Sequence, residues 1–277
     1  MTAPTPYSQR ARRAFLKYVE SRFTPQEGIA FLGGSVAAGT ARDGSDADGV
    51  VVLDNDGPAF GSRVKKVVDD IPLDIAIYNR KGLQRRFNHE FRSADPYVLN
   101  TIADGEVLTN RRSPAIRSLK RRARDMLDQG APDLSRAQTR REQVEITELT
   151  ERLAHAETGA EKRFLGTLLT PKLARFHLRQ NNQWIGTHQK LLERLKRFAP
   201  AYAKTLDHAL FDGLGQKSDP APMIKIVHQT LAPVGGLTRR APPVIDKVPT
   251  DTPPQESAPK SAANPPANPP RPQPGKG

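Results

Sequence analysis

The stretch that decides the fold runs from Phe31 to Leu53 and reads FLGGSVAAGTARDGSDADGVVVL. One apolar segment ends in Gly33-Gly34-Ser35, and a second follows Asp46-Ala47-Asp48. Glycines let the backbone approach a ligand closely, and amides at the start of a following helix can face phosphate oxygens. On an extended segment, Asp46 and Asp48 point to the same face. Two such charges about 4 Å apart repel by about 4 kcal/mol at an effective dielectric near 20. Oxygen ligands of this kind suit Mg²⁺, which would remove that repulsion.

Two other ligand-binding loops share features with this stretch, and both are excluded. An EF-hand with Gly49 at position six would begin at Gly44 and end at Asn55, so both ends lack the required carboxylate. A G-x-x-x-x-G-K-[ST] phosphate loop is excluded because no Lys-Ser or Lys-Thr follows the glycines.

The flanking sequence predicts alternating helices and strands. Apolar residues at helical spacing predict a helix over 7–23, and short apolar runs predict strands over 28–32, 46–53 and 72–78. We also expect short helical segments over 36–38 and 60–68. An isolated acid, Asp74, stands inside the third apolar run, Leu73-Asp74-Ile75-Ala76-Ile77. A carboxylate in such a run is costly to bury without a cation, which favours a functional role.

Further along, the pattern becomes helical. We expect a helix over 80–92, a helix capped by Asp95-Pro96 and ending near Ile102, and a short strand over 105–108. From Ser113 to Leu231 helical periodicity is interrupted only at residues 130–132, 199–200 and 218–220. Eleven of the 25 prolines lie beyond Pro242, with few large apolar residues. The sequence therefore predicts an α+β domain at 1–112 with a small mixed sheet and flanking helices, an all-helical domain at 113–242 and a disordered Pro-rich tail at 243–277.

The composition is basic and free of cysteine. The net charge of the 277 residues is +13, of which +7 falls between Arg111 and Arg141. A local excess of this kind attracts phosphates or nucleic acid, although a solubilising helix face is an equal alternative. The absence of cysteine excludes disulfides, thiolate metal sites and a Cys nucleophile. With no apolar signal segment and no long apolar run, we expect a soluble cytoplasmic protein without membrane contact.

Together these residues resemble the DNA polymerase β-like nucleotidyltransferase superfamily over roughly Tyr7 to Leu108. The resemblance rests on Gly34-Ser35 after a strand, Asp46-Ala47-Asp48 on the next strand, and Asp74 on a later one. It implies that Asp46 and Asp48 hold one or two Mg²⁺ ions that also bind the triphosphate of an NTP, most plausibly ATP. It further implies that Gly34 and Ser35 hold the outer phosphates. Asp74 would complete a second metal position or take the proton of the acceptor hydroxyl.

Other residues are weaker candidates. Thr40 and Arg42 follow the glycine turn and are candidates for phosphate contact, and Ser45 would orient Asp48 or cap its turn. The helical half is similar to that of aminoglycoside nucleotidyltransferases. The segment 182–192 resembles a Trp/Lys helix of such domains, in which Lys190 would reach the triphosphate. The alternative is a core Trp184 and a solvated Lys190.

Glutamates recur every three residues on one predicted helix, at positions 142, 145, 148 and 151. In antibiotic-modifying relatives a glutamate of the helical half acts as a base, which makes Glu145 and Glu148 candidates. We favour a solvated acidic face paired with Arg140, Arg141 and Arg152. The histidines lack metal-ligand spacing, and we expect His177 and His188 at the surface or in packing contacts.

Three functions stay open on the sequence. The first is metal-dependent transfer of a nucleoside monophosphate to the hydroxyl of a small molecule. The second keeps the chemistry but uses RNA or a protein as acceptor, with RNA bound by the basic stretch 111–141; no aromatic residues interleave with that charge. The third is a nucleotide-binding scaffold that does not catalyse, which the intact acidic residues argue against.

Overall fold

A computed structural model describes residues 3–24 and 27–239. The predicted Pro-rich tail at 243–277 lies outside the described residues. The elements in chain order are α1 (Pro6–Arg22), β1 (Gly28–Leu32), α2 (Gly34–Ala37), β2 (Ala47–Leu53), β3 (Gly61–Val68), β4 (Ile71–Asn79), α3 (Arg80–Ser93), α4 (Tyr97–Asp104), β5 (Glu106–Val107), α5 (Ala115–Asp128), α6 (Arg136–His155), α7 (Gly159–Gln180), α8 (Gln189–Phe198), α9 (Pro200–His208), a π-helical segment (Ala209–Gln216), α10 (Ala221–Leu231) and a 3₁₀ turn (Ala232–Val234). The predicted α+β class is confirmed.

The strands form one five-stranded mixed sheet in the order β3-β4-β2-β1-β5. β1 pairs antiparallel with β2 and β5, and β3 pairs antiparallel with β4. The two central strands, β2 and β4, are parallel. Their burial is nearly continuous, as expected for strands covered on both faces.

Each face of the sheet has its own apolar core. On one face α1 packs through Phe15 and its neighbours against residues such as Val51 and Ile75. On the other face α3 and α4 pack through Phe87 and Ile102 against alternate residues of the same strands. This alternation follows from the two-residue period of a strand. The even-numbered residues of β2 and β4, including Asp48 and Asp74, therefore lie on the α3–α4 face.

Residues 61–68 differ from their prediction, because they form strand β3 instead of a helix. β3 is an edge strand whose side chains are mostly exposed, and its few apolar residues, Val64, Val67 and Val68, stand at the spacing of a helix rather than in alternation. A two-residue turn joins it to β4, with Asp69 and Asp70 at φ of 50° and 61°. This left-handed pair is typical of tight hairpins, and the full antiparallel pairing with β4 stabilises the strand.

The second half consists of helices around a separate apolar cluster that includes Ile146, Leu173 and Leu214. The predicted breaks at 130–132, 199–200 and 218–220 are confirmed as turns or helix boundaries. The segment 182–192 is not one helix, because α8 begins only at Gln189. Trp184 lies in the preceding loop, where its indole N–H donates to the carbonyl of Leu127 at 2.9 Å.

The same loop joins the helices to the sheet-bearing half. Trp184 meets the ring of Phe91 edge-on at 5.9 Å, and the backbone N–H of Ile185 donates to the carbonyl of Ala94 at 2.8 Å. All described residues fall within one compact unit, Met1–Pro242. The division at residue 112 stays a prediction. Among the described helices, none combines the length and apolar character that crossing a membrane requires.

Candidate active site

The two acids that the sequence singled out on different strands lie side by side. Asp48 on β2 and Asp74 on β4 are direct partners in the parallel register. Both point to the α3–α4 face, where Asp48 is half-buried and Asp74 is only 5% exposed. Asp46 precedes β2 by one residue and is exposed. The order of strands, which brings β4 next to β2, therefore creates the acidic site.

The glycine turn lies directly beside Asp48. The backbone N–H of Gly33 donates to the carbonyl of Asp48 at 2.8 Å, which ties the end of β1 to β2. Gly34 has a φ of +62°, a conformation that glycine adopts without strain. A Cβ at Gly34 would lie 2.9 Å from a carboxylate oxygen of Asp48. Glycine is thus required there both by the backbone angle and by the neighbouring acid.

Two cations that the sequence analysis did not identify bind the third acid. Arg63 donates from Nε and Nη2 to the two oxygens of Asp74, at 2.6 and 2.7 Å. The Lys65 ammonium lies 3.5 Å from the same carboxylate. Burial raises the pKa of Asp74, but the hydrogen bonds and charge of Arg63, with the charge of Lys65, outweigh it and leave the pKa below its ordinary value. The predicted helix over 60–68 did not indicate these two counter-ions, because residues two apart share a face in a strand but not in a helix.

Asp48 has the opposite electrostatic environment. Burial, followed by the charges of Asp74 and Asp46, raises its pKa above the ordinary value. Tyr97 of α4 donates a long hydrogen bond of 3.4 Å to its Oδ1, and Arg63 lies 5.7 Å from the centre of the Tyr97 ring. Asp48 is thus a carboxylate with more negative charge around it than its hydrogen bonds offset.

A buried glutamate fixes the start of α4 and so the position of Tyr97. Glu90 of α3 is fully buried and accepts the backbone N–H groups of Val98 and Leu99 at 2.8 and 2.9 Å. Its Oε1 also accepts from Arg86 Nε at 3.0 Å. The predicted cap was wrong in detail: the helix starts after Pro96, without a side-chain cap from its own N-terminal residue. Glu90 of the preceding helix accepts the free N–H groups instead. No local sequence signal indicates this contact.

The remaining predicted residues of the glycine turn have mainly structural contacts. Ser35 is half-buried, and its carbonyl accepts the backbone N–H of Thr40 at 2.9 Å. The Thr40 side chain is exposed. Ser45 caps its turn, because its hydroxyl accepts the N–H of Arg42 at 3.0 Å.

The candidates from the helical half are bound to neighbours there. The Lys190 ammonium, 70% exposed, pairs with Glu193 at 3.2 Å. Glu145 pairs with Lys172 of α7, and Glu148 is exposed. Glu151 pairs with Arg239 at 2.7 Å, so the acidic face has ion-pair partners from outside its own helix. His177 stacks on Tyr202 with centroids 4.0 Å apart, a packing contact.

Part of the basic stretch 111–141 also has a structural role. On α5, Lys120 donates to the carbonyl of Gly105 at 2.8 Å and Arg124 to that of Ala103 at 3.1 Å. Both bonds satisfy carbonyls at the end of α4, where cations are favourable. Burial is the main cause of a lowered pKa of Lys120.

The donor set suits a divalent cation only in part. Among residues 3–24 and 27–239, no three His, Cys, Asp or Glu side chains converge as a metal site. Asp46 and Asp48 nevertheless offer carboxylate oxygens two residues apart, and burial followed by the charges of Asp74 and Asp46 raises the pKa of Asp48, an environment that Mg²⁺ would relieve. Asp74 already has Arg63 and Lys65 as counter-ions. By donor chemistry Asp46 and Asp48 would hold the ion, whereas Asp74 would join them only after Arg63 releases an oxygen.

Comparison with known proteins agrees with the geometry of the site. Residues 12–101 match the family model described as a nucleotidyltransferase domain, a segment that includes both strands with the acids and the glycine turn. No curated protein matches the chain. The crystal structure of a nucleotidyltransferase-like protein from Exiguobacterium sibiricum 255-15 aligns with 13% identity over 82% of this chain and 75% of that chain, at a TM-score of 0.39. The family match confirms the resemblance drawn from the sequence: the chain carries a nucleotidyltransferase domain at residues 12–101.

Proposed function

We propose that the chain transfers a nucleoside monophosphate from an NTP, most plausibly ATP, to a hydroxyl acceptor in a Mg²⁺-dependent reaction. The observation that carries this proposal is the pairing of Asp48 with Asp74 on neighbouring parallel strands, beside the turn at Gly34. A nucleotidyltransferase domain implies an NTP donor. The acidic pair and the turn lie within that domain.

The proposed roles follow from the positions of the residues. Asp46 and Asp48 would hold Mg²⁺, and Gly34, Ser35 and Thr40 would contact the triphosphate. When bound, the ion would offset the negative charge of the phosphates and of the departing pyrophosphate. The acceptor oxygen bonds to the α-phosphorus while the bond from that phosphorus to the bridging oxygen breaks, and pyrophosphate leaves.

The route of the acceptor's proton depends on Asp74. Both oxygens of this carboxylate accept hydrogen bonds from Arg63, and its pKa is lowered although burial alone would raise it. Asp74 can therefore accept the hydroxyl proton, or act as a further metal ligand, only when Arg63 releases one oxygen. The role of Lys190 at the triphosphate stays a prediction.

Charge-neutral variants of the acids test this proposal. Asp46→Asn and Asp48→Asn should each reduce Mg²⁺-dependent pyrophosphate release from labelled ATP by at least about a hundredfold. Asp43→Asn is the matched control, because Asp43 is an exposed acid in the same loop and pairs only weakly with Arg10, at 3.4 Å. Circular dichroism establishes that each variant is folded. Unchanged turnover in a folded Asp48→Asn variant would refute the assignment.

The acceptor is sought in the same assay. Small hydroxylated molecules, RNA and protein are supplied separately, and the labelled product identifies the class. The sequence favours a small molecule as acceptor, with RNA or protein as the alternative. Absence of transfer to every class, with the donor still bound, would instead support the non-catalytic scaffold.

A further inference from the structure

A basic groove opens beside the acidic pair, between strand β3 and helix α3. We call it the β3–α3 groove; its volume is about 540 Å³. That size is suited to a ligand of nucleotide dimensions. Its basic lining consists of Arg63, Arg85, Arg86 and His89, and its aromatic lining of Phe60, Tyr78 and Tyr97.

The ionisable side chains that line the groove are basic, apart from the two tyrosines. Three arginines and a histidine line it, and its described lining residues include no aspartate or glutamate. Arg63 and Arg86 are partly offset by Asp74 and Glu90. Arg85 and His89 are exposed on the same face of α3. A cationic acceptor would be repelled here, whereas arginine side chains are well suited to phosphate.

The groove also offers aromatic surface. Tyr78 and Tyr97 are both half-buried, so part of each ring faces the groove. The Tyr78 ring packs closely on Gly61, where a Cβ would approach it to 2.8 Å. Arg63 lies near the face of Tyr97. Fixed aromatic rings beside arginines are the combination that binds a phosphate-bearing nucleobase unit.

The order of the strands separates this groove from the glycine turn. Gly34 follows β1, which borders β2 on one side, whereas β4 and β3 border it on the other. The acidic pair on β2 and β4 therefore lies between the turn and the groove. Tyr97 contacts Asp48, and Arg63 contacts Asp74, so the groove adjoins the acids. If the donor phosphates lie at the turn, the acceptor approaches from the groove.

We propose that the β3–α3 groove binds the acceptor and that this acceptor is a nucleotide unit, either a free mononucleotide or the end of an RNA strand. That the bound ligand is an acceptor rests on the proposed nucleotidyl transfer. The binding site itself rests on the charge and the rings of the groove. It shifts the expected RNA contact from the stretch 111–141 to α3 and β3.

Binding without turnover tests the groove directly. A fluorescein-labelled, ten-nucleotide single-stranded RNA is titrated with the full chain in EDTA, which prevents metal-dependent transfer, and anisotropy is measured. Arg85→Glu should weaken binding by about tenfold or more. Arg13→Glu is the matched control, because it makes the same charge change at an exposed position of α1, on the opposite face of the sheet. It should change affinity less than about threefold.

Competition with other ligands distinguishes a free nucleotide from the end of an RNA strand. If AMP displaces the RNA and its binding shows the same Arg85 dependence, the acceptor is a free nucleotide; if only RNA binds, it is a strand end. His89→Ala and Arg85→Ala, milder changes on the same face, should weaken binding in the same direction. Equal losses in Arg85→Glu and Arg13→Glu would overturn the proposal, as would stronger binding of a cationic aminoglycoside than of RNA or AMP.

A donor assay distinguishes failure of this inference from failure of the proposed function. With Mg²⁺, binding of a non-hydrolysable ATP analogue should be unchanged in Arg85→Glu and lost in Asp48→Asn. Loss in Arg85→Glu would assign the groove to the donor and overturn the inference alone. Retention in Asp48→Asn would count against the proposed metal site and leave the groove intact.

Discussion

Replacing Glu90 by glutamine changes one atom of a fully buried side chain. In the native chain both carboxylate oxygens are used, with Oε1 accepting from Val98 and Arg86 and Oε2 accepting from Leu99. A glutamine keeps one acceptor and places an NH₂ group where the second oxygen was. One backbone N–H at the start of α4 then faces a donor. The predicted consequence is a loosened first turn of α4.

The magnitude follows from the bonds that are lost. A hydrogen bond to a charged acceptor contributes about 1.5–3 kcal/mol, and a buried donor left unsatisfied costs about 1–3 kcal/mol. Removing the buried charge recovers part of that loss, because burial of an ionised carboxylate is itself unfavourable. Arg86 is one-third exposed and can turn to water. We therefore expect Glu90→Gln to lower the free energy of unfolding by about 2 kcal/mol at pH 7.

The pH dependence gives a second, independent result. Burial is the main cause of a raised pKa of Glu90, against the opposing hydrogen bonds from Val98, Leu99 and Arg86. The folded chain therefore takes up this proton at a higher pH than the unfolded chain, whose value is near 4.5. As the pH falls from the pKa of Glu90 in the folded chain to about 4.5, the free energy of unfolding of the native chain rises. The glutamine variant has no such proton to take up and lacks that gain. The loss caused by Glu90→Gln should be larger at pH 5 than at pH 7.

Urea unfolding of the native chain and the variant at both pH values measures these quantities. Glu20→Gln, an exposed position on α1, is the control and should change stability by less than about 0.5 kcal/mol. A loss below about 0.5 kcal/mol in Glu90→Gln would refute the capping role. A loss that shrinks on acidification would show that the hydrogen bonds outweigh burial.

Three further substitutions have defined outcomes. Gly34→Ala should abolish transfer and cost about 1–2 kcal/mol in urea unfolding, because alanine is strained at positive φ and its methyl would contact Asp48; native-like activity would contradict this geometry. Trp184→Phe should cost about 1 kcal/mol in thermal unfolding through the indole hydrogen bond to α5, and an unchanged Tm would count against that bond. Arg63→Met should lower the free energy of unfolding by about 1–3 kcal/mol, because the nearly buried Asp74 loses its main counter-ion, whereas Arg63 itself is half-exposed. A double-mutant cycle with Asp74→Asn measures the coupling energy of the pair, and a coupling energy of zero would refute the role of Arg63 as counter-ion.

The sequence determined what local order and strand periodicity can determine. The turn and the two flanking strands were predicted from Gly33-Gly34-Ser35 after one apolar run and from two acids before the next. The spacing of two residues between those acids predicted a shared face for Asp46 and Asp48. These features depend only on neighbours in the chain and on the two-residue period. Together with Asp74 on the third apolar run, they were sufficient for the resemblance to a nucleotidyltransferase domain, and apolar spacing elsewhere predicted the α+β class and most helices.

The tertiary structure decided everything that depends on which strands pair. Asp48 and Asp74 are 26 positions apart, and only the parallel register of β2 and β4 makes them neighbours. Residues 61–68 lack the apolar alternation of a half-buried strand, since an exposed edge strand needs no apolar face and is stabilised by its partner. With that strand come Arg63 and Lys65, the counter-ions of Asp74.

Glu90 shows the same limit of the sequence. Nothing in the sequence of α3 indicates that its carboxylate will accept the first free N–H groups of α4, because the contact depends on how two helices pack. The site at Gly34 thus follows from chain order, whereas the cations beside Asp74 and the groove behind them follow from pairing and packing. The physical reason is that periodicity encodes which face a residue occupies, and only the folded register determines which residue lies opposite.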